Sequence, residues 1–288
     1  LLSLPFYILY FALLYFLKAE SILFFIIPII YGISDGIFWI NFHIDFSTFS
    51  KKKDRGSQVG RYYRFALLAG LTGPVIGGAI LTFSTFNTLF IIVSLLLLGS
   101  AVPLFFTKDI KKDYKFSYNF LKAGSFKDFV SFAAAGGKIL TESVFWPIFI
   151  FGILGFYAAI GSLFTLLGFV SILLTYVIGR LSDVFDKRKM IRWFSFFHSI
   201  TWFLNIFIKT KLELVAIATI TNISAIGLEL PYNALVYNKC DKRVDYLIFR
   251  EFGLGVGRII VLLLVLITSN ILSSFFYVAI ASLGFMLL

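Results

Sequence analysis

Ten times along the chain an apolar run of about 20 residues recurs, the length an α-helix needs to cross the roughly 30 Å hydrocarbon core of a bilayer. The runs cover roughly residues 1–17, 21–46, 61–83, 86–106, 126–152, 154–178, 190–208, 212–238, 249–270 and 271–288. Charged residues make up only 14% of the chain, against about 25% in soluble domains. That leaves too little polar surface to enclose ten such helices in water. The expected fold class is all-α, a polytopic membrane protein.

The formal charge of +11 raises the question of nucleic acid. Its distribution argues for a membrane instead. Residues 47–64, 107–127, 179–192 and 239–250 hold 21 of the 26 Lys and Arg, while the alternate loops hold only Lys18, Lys209 and Lys211. This is the asymmetry of a protein whose basic loops face the cytoplasm. An even number of crossings then puts both visible ends on that side, in a plasma (bacterial inner) membrane. No nucleic-acid partner is expected. Cys240 is the single cysteine, assigned to a basic loop, so neither a disulfide framework nor a Cys/His metal set can be assembled. With no His-Glu-x-x-His motif either, the expectation is no metal, no cofactor and no enzyme.

Residues 107–125, "TKDIKKDYKFSYNFLKAGS", form the only long polar interval. They divide residues 1–106, with four apolar runs, from residues 126–288, with six. A weak repeat relates the halves: "GSQVGR" at 56–61 and "GLGVGR" at 253–258 each open an apolar run after a basic loop. The Gly253-x-Gly255-x-Gly257 spacing follows no strand, so close helix packing explains it better than a dinucleotide site. Two further helices ahead of Leu1 would make the halves six and six, and the chain is expected to be a truncated fragment lacking them.

Two motifs stand out. Residues 179–189, "GRLSDVFDKRK", place Gly179 four residues before Asp183 and end on Lys187, Arg188 and Lys189. Asp183 is suited to accept backbone N–H groups or face a helix N-terminus, and the three cations suit the anionic inner leaflet. Residues 60–78 run Gly60, Ala69, Gly70, Gly73-Pro74, Gly77-Gly78 through an apolar segment. Such residues spoil a helix in water. In lipid they permit close backbone approach and, at Pro74, a bend.

The turn resembles the signature loop of the major facilitator superfamily, Gly-x-x-x-Asp-Arg/Lys-x-Gly-Arg-Arg/Lys, with Val184 and Asp186 as departures. The glycine run resembles the fifth-helix motif typical of that superfamily's antiporters, with Ala69 standing for one glycine. The resemblance covers the whole chain, as helices three to twelve. It implies two pseudo-symmetric helix bundles, a central cavity lined by helices one, four, seven and ten, and alternating access. It also implies secondary transport of a small organic solute, by proton-coupled export. The alternatives are proton symport for uptake, or a transporter-like receptor that moves nothing.

Ionisable residues inside the membrane are costly and mark functional positions by default. Asp35 lies about twelve residues, roughly 18 Å, from the basic end of its helix, and Asp35, Trp39 and His43 share one face at i, i+4 and i+8. This acid is the first candidate to carry a coupling proton, the alternative being a structural hydrogen bond to a neighbouring helix. Lys138 and Glu142, at i and i+4, can pair, either as a structural ion pair or facing solute. Trp146 is expected on a cavity wall with Pro147 marking a kink. Glu229, ahead of Pro231, shares a face with Asn222. The expected partners are a small solute, protons and the bilayer, with oligomeric state open.

Overall fold

The computed structural model describes residues 2–18, 21–106, 119–240 and 243–288. Most of the expected linker, residues 107–118, lies outside them. In hydrocarbon no water can satisfy a stray N–H or C=O, so each crossing closes its own hydrogen bonds as a helix. In chain order the described residues form α1 Leu4–Tyr15, α2 Leu23–Phe49, α3 Arg55–Gly70, α4 Gly73–Phe83, α5 Phe86–Phe105, α6 Phe126–Leu140, α7 Trp146–Leu154, α8 Tyr157–Val184, α9 Lys187–Asn205, α10 Lys211–Cys240, α11 Val244–Thr268 and α12 Leu272–Ser282. Two rods are broken, α3 with α4 and α6 with α7, so twelve helices make ten rods. Seven are long and apolar enough to cross a membrane. The rods Leu4–Tyr15 and Leu272–Leu287 are apolar but shorter, and α9 opens on Lys187, Arg188 and Lys189.

Helix ends correct the loop boundaries read from hydropathy. Because α2 runs to Phe49 and α3 begins at Arg55, Arg61 and Arg64 belong to a helix. Arg250 lies inside α11 and is buried, and Cys240 is the buried last residue of α10. Helices α3 and α11 begin at Arg55 and Val244, a turn or more ahead of the apolar runs that open at 61 and 249.

Local chemistry sets several ends. Ser125 and Asp128 form a reciprocal capping box at the start of α6, which satisfies two donors that the helix leaves open. Gly155 closes α7 with φ of 79°, a left-handed conformation that glycine adopts without a Cβ penalty. Asp186 accepts from Arg188 N–H at 2.8 Å and Lys189 N–H at 3.3 Å and so starts α9. The departure from the signature loop at this position is a helix cap. Those bonds, to Lys189 and then Arg188, hold its carboxyl below the usual carboxylate range.

Helices α6, α11 and α12 pack together, α9 packs on α10 and α12, and α8 packs on α10. Helix α1 packs on α2 and α5. Helix α3 also packs on α10, and α3 and α4 lie along α8. Small residues make it possible. A Cβ on Gly60 would lie 2.9 Å from the Thr175 carbonyl oxygen, one on Gly78 2.9 Å from that of Tyr157, and one on Gly161 would collide with that of Pro74.

The rest of the glycine run behaves otherwise, so the expected close packing holds for only part of it, while the expected bend falls beside Pro74. A Cβ on Gly70, Gly73 or Gly77 would meet nothing within 4 Å. These glycines flank the break at Leu71–Thr72, where Pro74 has no N–H to give the Gly70 carbonyl. The Leu71 carbonyl is taken instead by the Thr165 hydroxyl of α8 at 3.1 Å. Leucine at Gly60 or Gly161 should therefore destabilise the protein by about 1 to 3 kcal/mol through overpacking, whereas alanine at Gly73 or Gly77 should change stability by less than about 1 kcal/mol. Thermal unfolding in detergent separates the two pairs, and equal effects at all four positions would contradict this packing.

Candidate functional site

Pro147 cannot donate a backbone hydrogen bond, and the rod in front of it widens. Residues Thr141–Phe145 form a π-helical turn in which the Trp146 N–H reaches the Thr141 carbonyl. Such turns occur often where a helix must re-aim side chains. Glu142 stands on this turn, and Lys138 one turn earlier donates to it at 2.8 Å. The Lys138 ammonium also makes a short contact with Glu229 of α10. Lys138 is 3% exposed. It lies twelve residues into its rod and Glu229 eleven from the end of α10, or about 18 and 17 Å at 1.5 Å per residue. One ammonium thus serves two carboxylates near the bilayer centre.

Beside the triad is a cavity of about 270 Å³, and Glu142, Glu229, Trp146, Trp202 and Asn222 are on its wall. Asn222 donates to the Leu167 carbonyl at 3.0 Å and the Ser171 hydroxyl at 2.8 Å, tying α10 to α8. Trp146 and Trp202 meet edge to face at 5.7 Å. Leu67 brings α3 to the wall. The cavity therefore takes its walls mainly from α7 to α10 and the turn before α7, with Leu67 from α3, and combines carboxylate charge, amide hydrogen bonding and aromatic surface.

Asp35 stands elsewhere. It accepts from Trp39 Nε1 at 3.0 Å and from the Tyr7 hydroxyl at 3.3 Å. Trp39 stacks on His43 at 5.6 Å, and His43 Nδ1 is hydrogen-bonded to the Tyr237 hydroxyl at 2.5 Å. The face Asp35, Trp39, His43 is thus a continuous chain of contacts, but it leads along α2 to α10, and none of the three is on the cavity wall. Gly32 to Gly36 reads Gly-x-Ser-x-Gly, the spacing of a hydrolase nucleophile elbow. Here Ser34 sits within a continuous helix, fully buried, and its hydroxyl donates to the Ser3 carbonyl at 2.9 Å. It packs α1 against α2.

At the basic end α3 is latched to α8 and α10. Asp183, near the end of α8, accepts from the Gly56 and Ser57 N–H groups at 2.7 Å each and from the Ser57 hydroxyl. It fills the open donors of the α3 N-terminus, where the helix dipole favours an anion. Lys187 lies 3.9 Å from it, and Gly179 brings α8 to within van der Waals reach of Gly60. Arg188 and Lys189 enter only through the backbone N–H groups that Asp186 caps. Arg55 adds a second bolt, donating to the Tyr237 carbonyl at 2.6 Å and Asn238 Oδ1 at 2.9 Å. Asn233 donates to the Tyr63 hydroxyl at 2.9 Å. Sequence reasoning missed Arg55, Tyr63 and Tyr237, which join parts of the chain more than 150 residues apart.

Removing one member of a buried ionic cluster costs more than removing all of it, since the remainder is left uncompensated. Lys138→Met should destabilise the protein by about 3 to 5 kcal/mol, and adding Glu142→Gln and Glu229→Gln should recover more than half. Additive losses in this thermal-stability cycle would show that the three side chains do not interact.

The sequence model of one family matches residues 1–171, described as Major Facilitator Superfamily. No curated protein matches the chain. The match takes in more than half of the 288 residues, from α1 to about the middle of α8, and the helices it covers include Leu23–Phe49, Arg55–Phe83, Phe86–Pro103 and Phe126–Leu154, each long and apolar enough to cross a membrane. The chain belongs to the major facilitator superfamily and is a transporter of that type.

Proposed function

We propose that the protein exports a small amphipathic organic cation in exchange for protons, by alternating access. The observation that carries this reading is the single Lys138 ammonium shared by Glu142 and Glu229 on the cavity wall. With one carboxylate protonated the cluster is neutral. When that proton leaves, one negative charge remains in a low-dielectric cavity, where it is costly. An organic cation seated against Trp146 and Trp202 neutralises the same charge and gains cation–π attraction. Proton and solute then exclude each other, which is the requirement for exchange.

Residues 1–106 and 126–288 act in this scheme as two bundles joined by the segment 107–125, and they rock about the α3/α4–α8 contact. The basic loops mark the cytoplasmic side, and the Asp183 and Arg55 latches hold that side closed, so the cavity is poised to exchange with the opposite side. The cavity position of Glu142 and Glu229 favours them over Asp35 as the proton carriers. Asp35, held by Tyr7 and Trp39, serves to tie α1 to α2.

In vesicles containing the complete gene product, an imposed pH gradient should drive accumulation of the cationic probe tetraphenylphosphonium. Glu142→Gln or Glu229→Gln should lower that accumulation at least about tenfold, while Asp35→Asn leaves most of it. Full accumulation in both glutamine variants, or its loss in Asp35→Asn alone, would return the proton to Asp35.

A further inference from the structure

Tyr176, one turn before Arg180 on α8, is flanked by two guanidinium groups. Arg180 lies 4.2 Å from its ring centroid and Arg64 of α3 lies 5.2 Å away. Arg61 and Ser57 complete one wall of a pocket of about 300 Å³ between the two helices. Three cations converge there, and no carboxylate is on the wall. None of the ion pairs among the described residues includes Arg61, Arg64 or Arg180. Asp183, which closes the latch on the same two helices, is already committed to Gly56, Ser57 and Lys187. Like charges held on one ring repel one another, and an anion between them removes that cost.

Depth narrows the anion's source. Arg61 and Arg64 lie six and nine residues into α3, and Tyr176 and Arg180 eight and four residues from the end of α8. At 1.5 Å per residue this is a layer about 6 to 14 Å in from the basic ends of the helices, the level of headgroups and upper acyl chains. One turn deeper, Leu68 on α3 and Leu173 on α8 are 53% and 58% exposed, an apolar wall continuing below the cations. Arginine forks suit phosphate oxygens, and basic pockets between membrane helices are suited to anionic headgroups.

We propose that this pocket binds the phosphate of an anionic lipid headgroup from the basic-side leaflet, with an acyl chain along Leu68 and Leu173. Because Arg61 and Arg64 belong to α3 and Arg180 to α8, the bound lipid bridges these two helices beside the Asp183 latch and stabilises the latched conformation. The site is separate from the cavity and does not depend on the nature of the solute.

The test compares the chain in nanodiscs of phosphatidylcholine with the chain in nanodiscs containing about one fifth phosphatidylglycerol. The anionic lipid should raise Tm by at least about 4 °C. Arg61→Gln/Arg64→Gln/Arg180→Gln should lose most of that shift, while the charge-matched control Lys51→Gln/Lys53→Gln/Lys127→Gln should keep it. Inorganic phosphate added to phosphatidylcholine nanodiscs should give less than about a third of the shift; a full shift there would overturn the lipid as the source. Equal shifts in both triple variants, or none in the unaltered chain, would overturn the site. Should the arginine triple variant not fold, native mass spectrometry of the unaltered chain and of Arg64→Gln decides. Phosphatidylglycerol retained by the first and lost at least about fivefold by the second is expected, and equal retention contradicts the proposal.

Discussion

The Lys138 ammonium sets the terms for the centre of this protein. A lone cation at that depth would be intolerable in hydrocarbon, and its hydrogen bonds to Glu142 and Glu229 fix how α6 and α10 meet. Glu142 stands on the π-helical turn Thr141–Phe145, just ahead of Pro147, and the cavity lies against it.

Two helices connect that centre to the basic end. Helix α10 carries Glu229 at the cavity and, about two turns on, Tyr237 and Asn238, which receive Arg55. Helix α3 carries Leu67 at the cavity and, at its start, Gly56 and Ser57, which receive Asp183. In the proposed exchange, a shift in charge at the triad would act on elements that also end in the latch. The contact of α3 and α4 with α8 would suit such a movement, because it is made by close backbone packing at small residues.

Much of this was legible in the sequence because it is local. Apolar run length gave the rods, spacing of four gave the Lys138–Glu142 pair, and the Asp183 loop pattern gave a carboxylate suited to a helix N-terminus. What stayed hidden depends on distant parts of the chain. Nothing near Glu229 reveals that its partner is 91 residues away. Arg250 read as a loop cation, yet it is buried in α11 beside Glu251 at 2.5 Å. The glycine run looked uniform, although only Gly60 and Gly78 face backbone on α8. Which face of a helix meets its neighbour is a property of assembly, and four glycines in a row of turns do not disclose it.

In the proposed exchange, proton and solute compete for one shared charge at Lys138, Glu142 and Glu229. Purified protein in weakly buffered detergent solution measures this directly through the protons released when tetraphenylphosphonium binds. About one proton per bound cation is expected by linkage, abolished in Glu142→Gln/Glu229→Gln and preserved in Asp35→Asn. Binding without release in the unaltered protein, or undiminished release after both glutamates are neutralised, would contradict it.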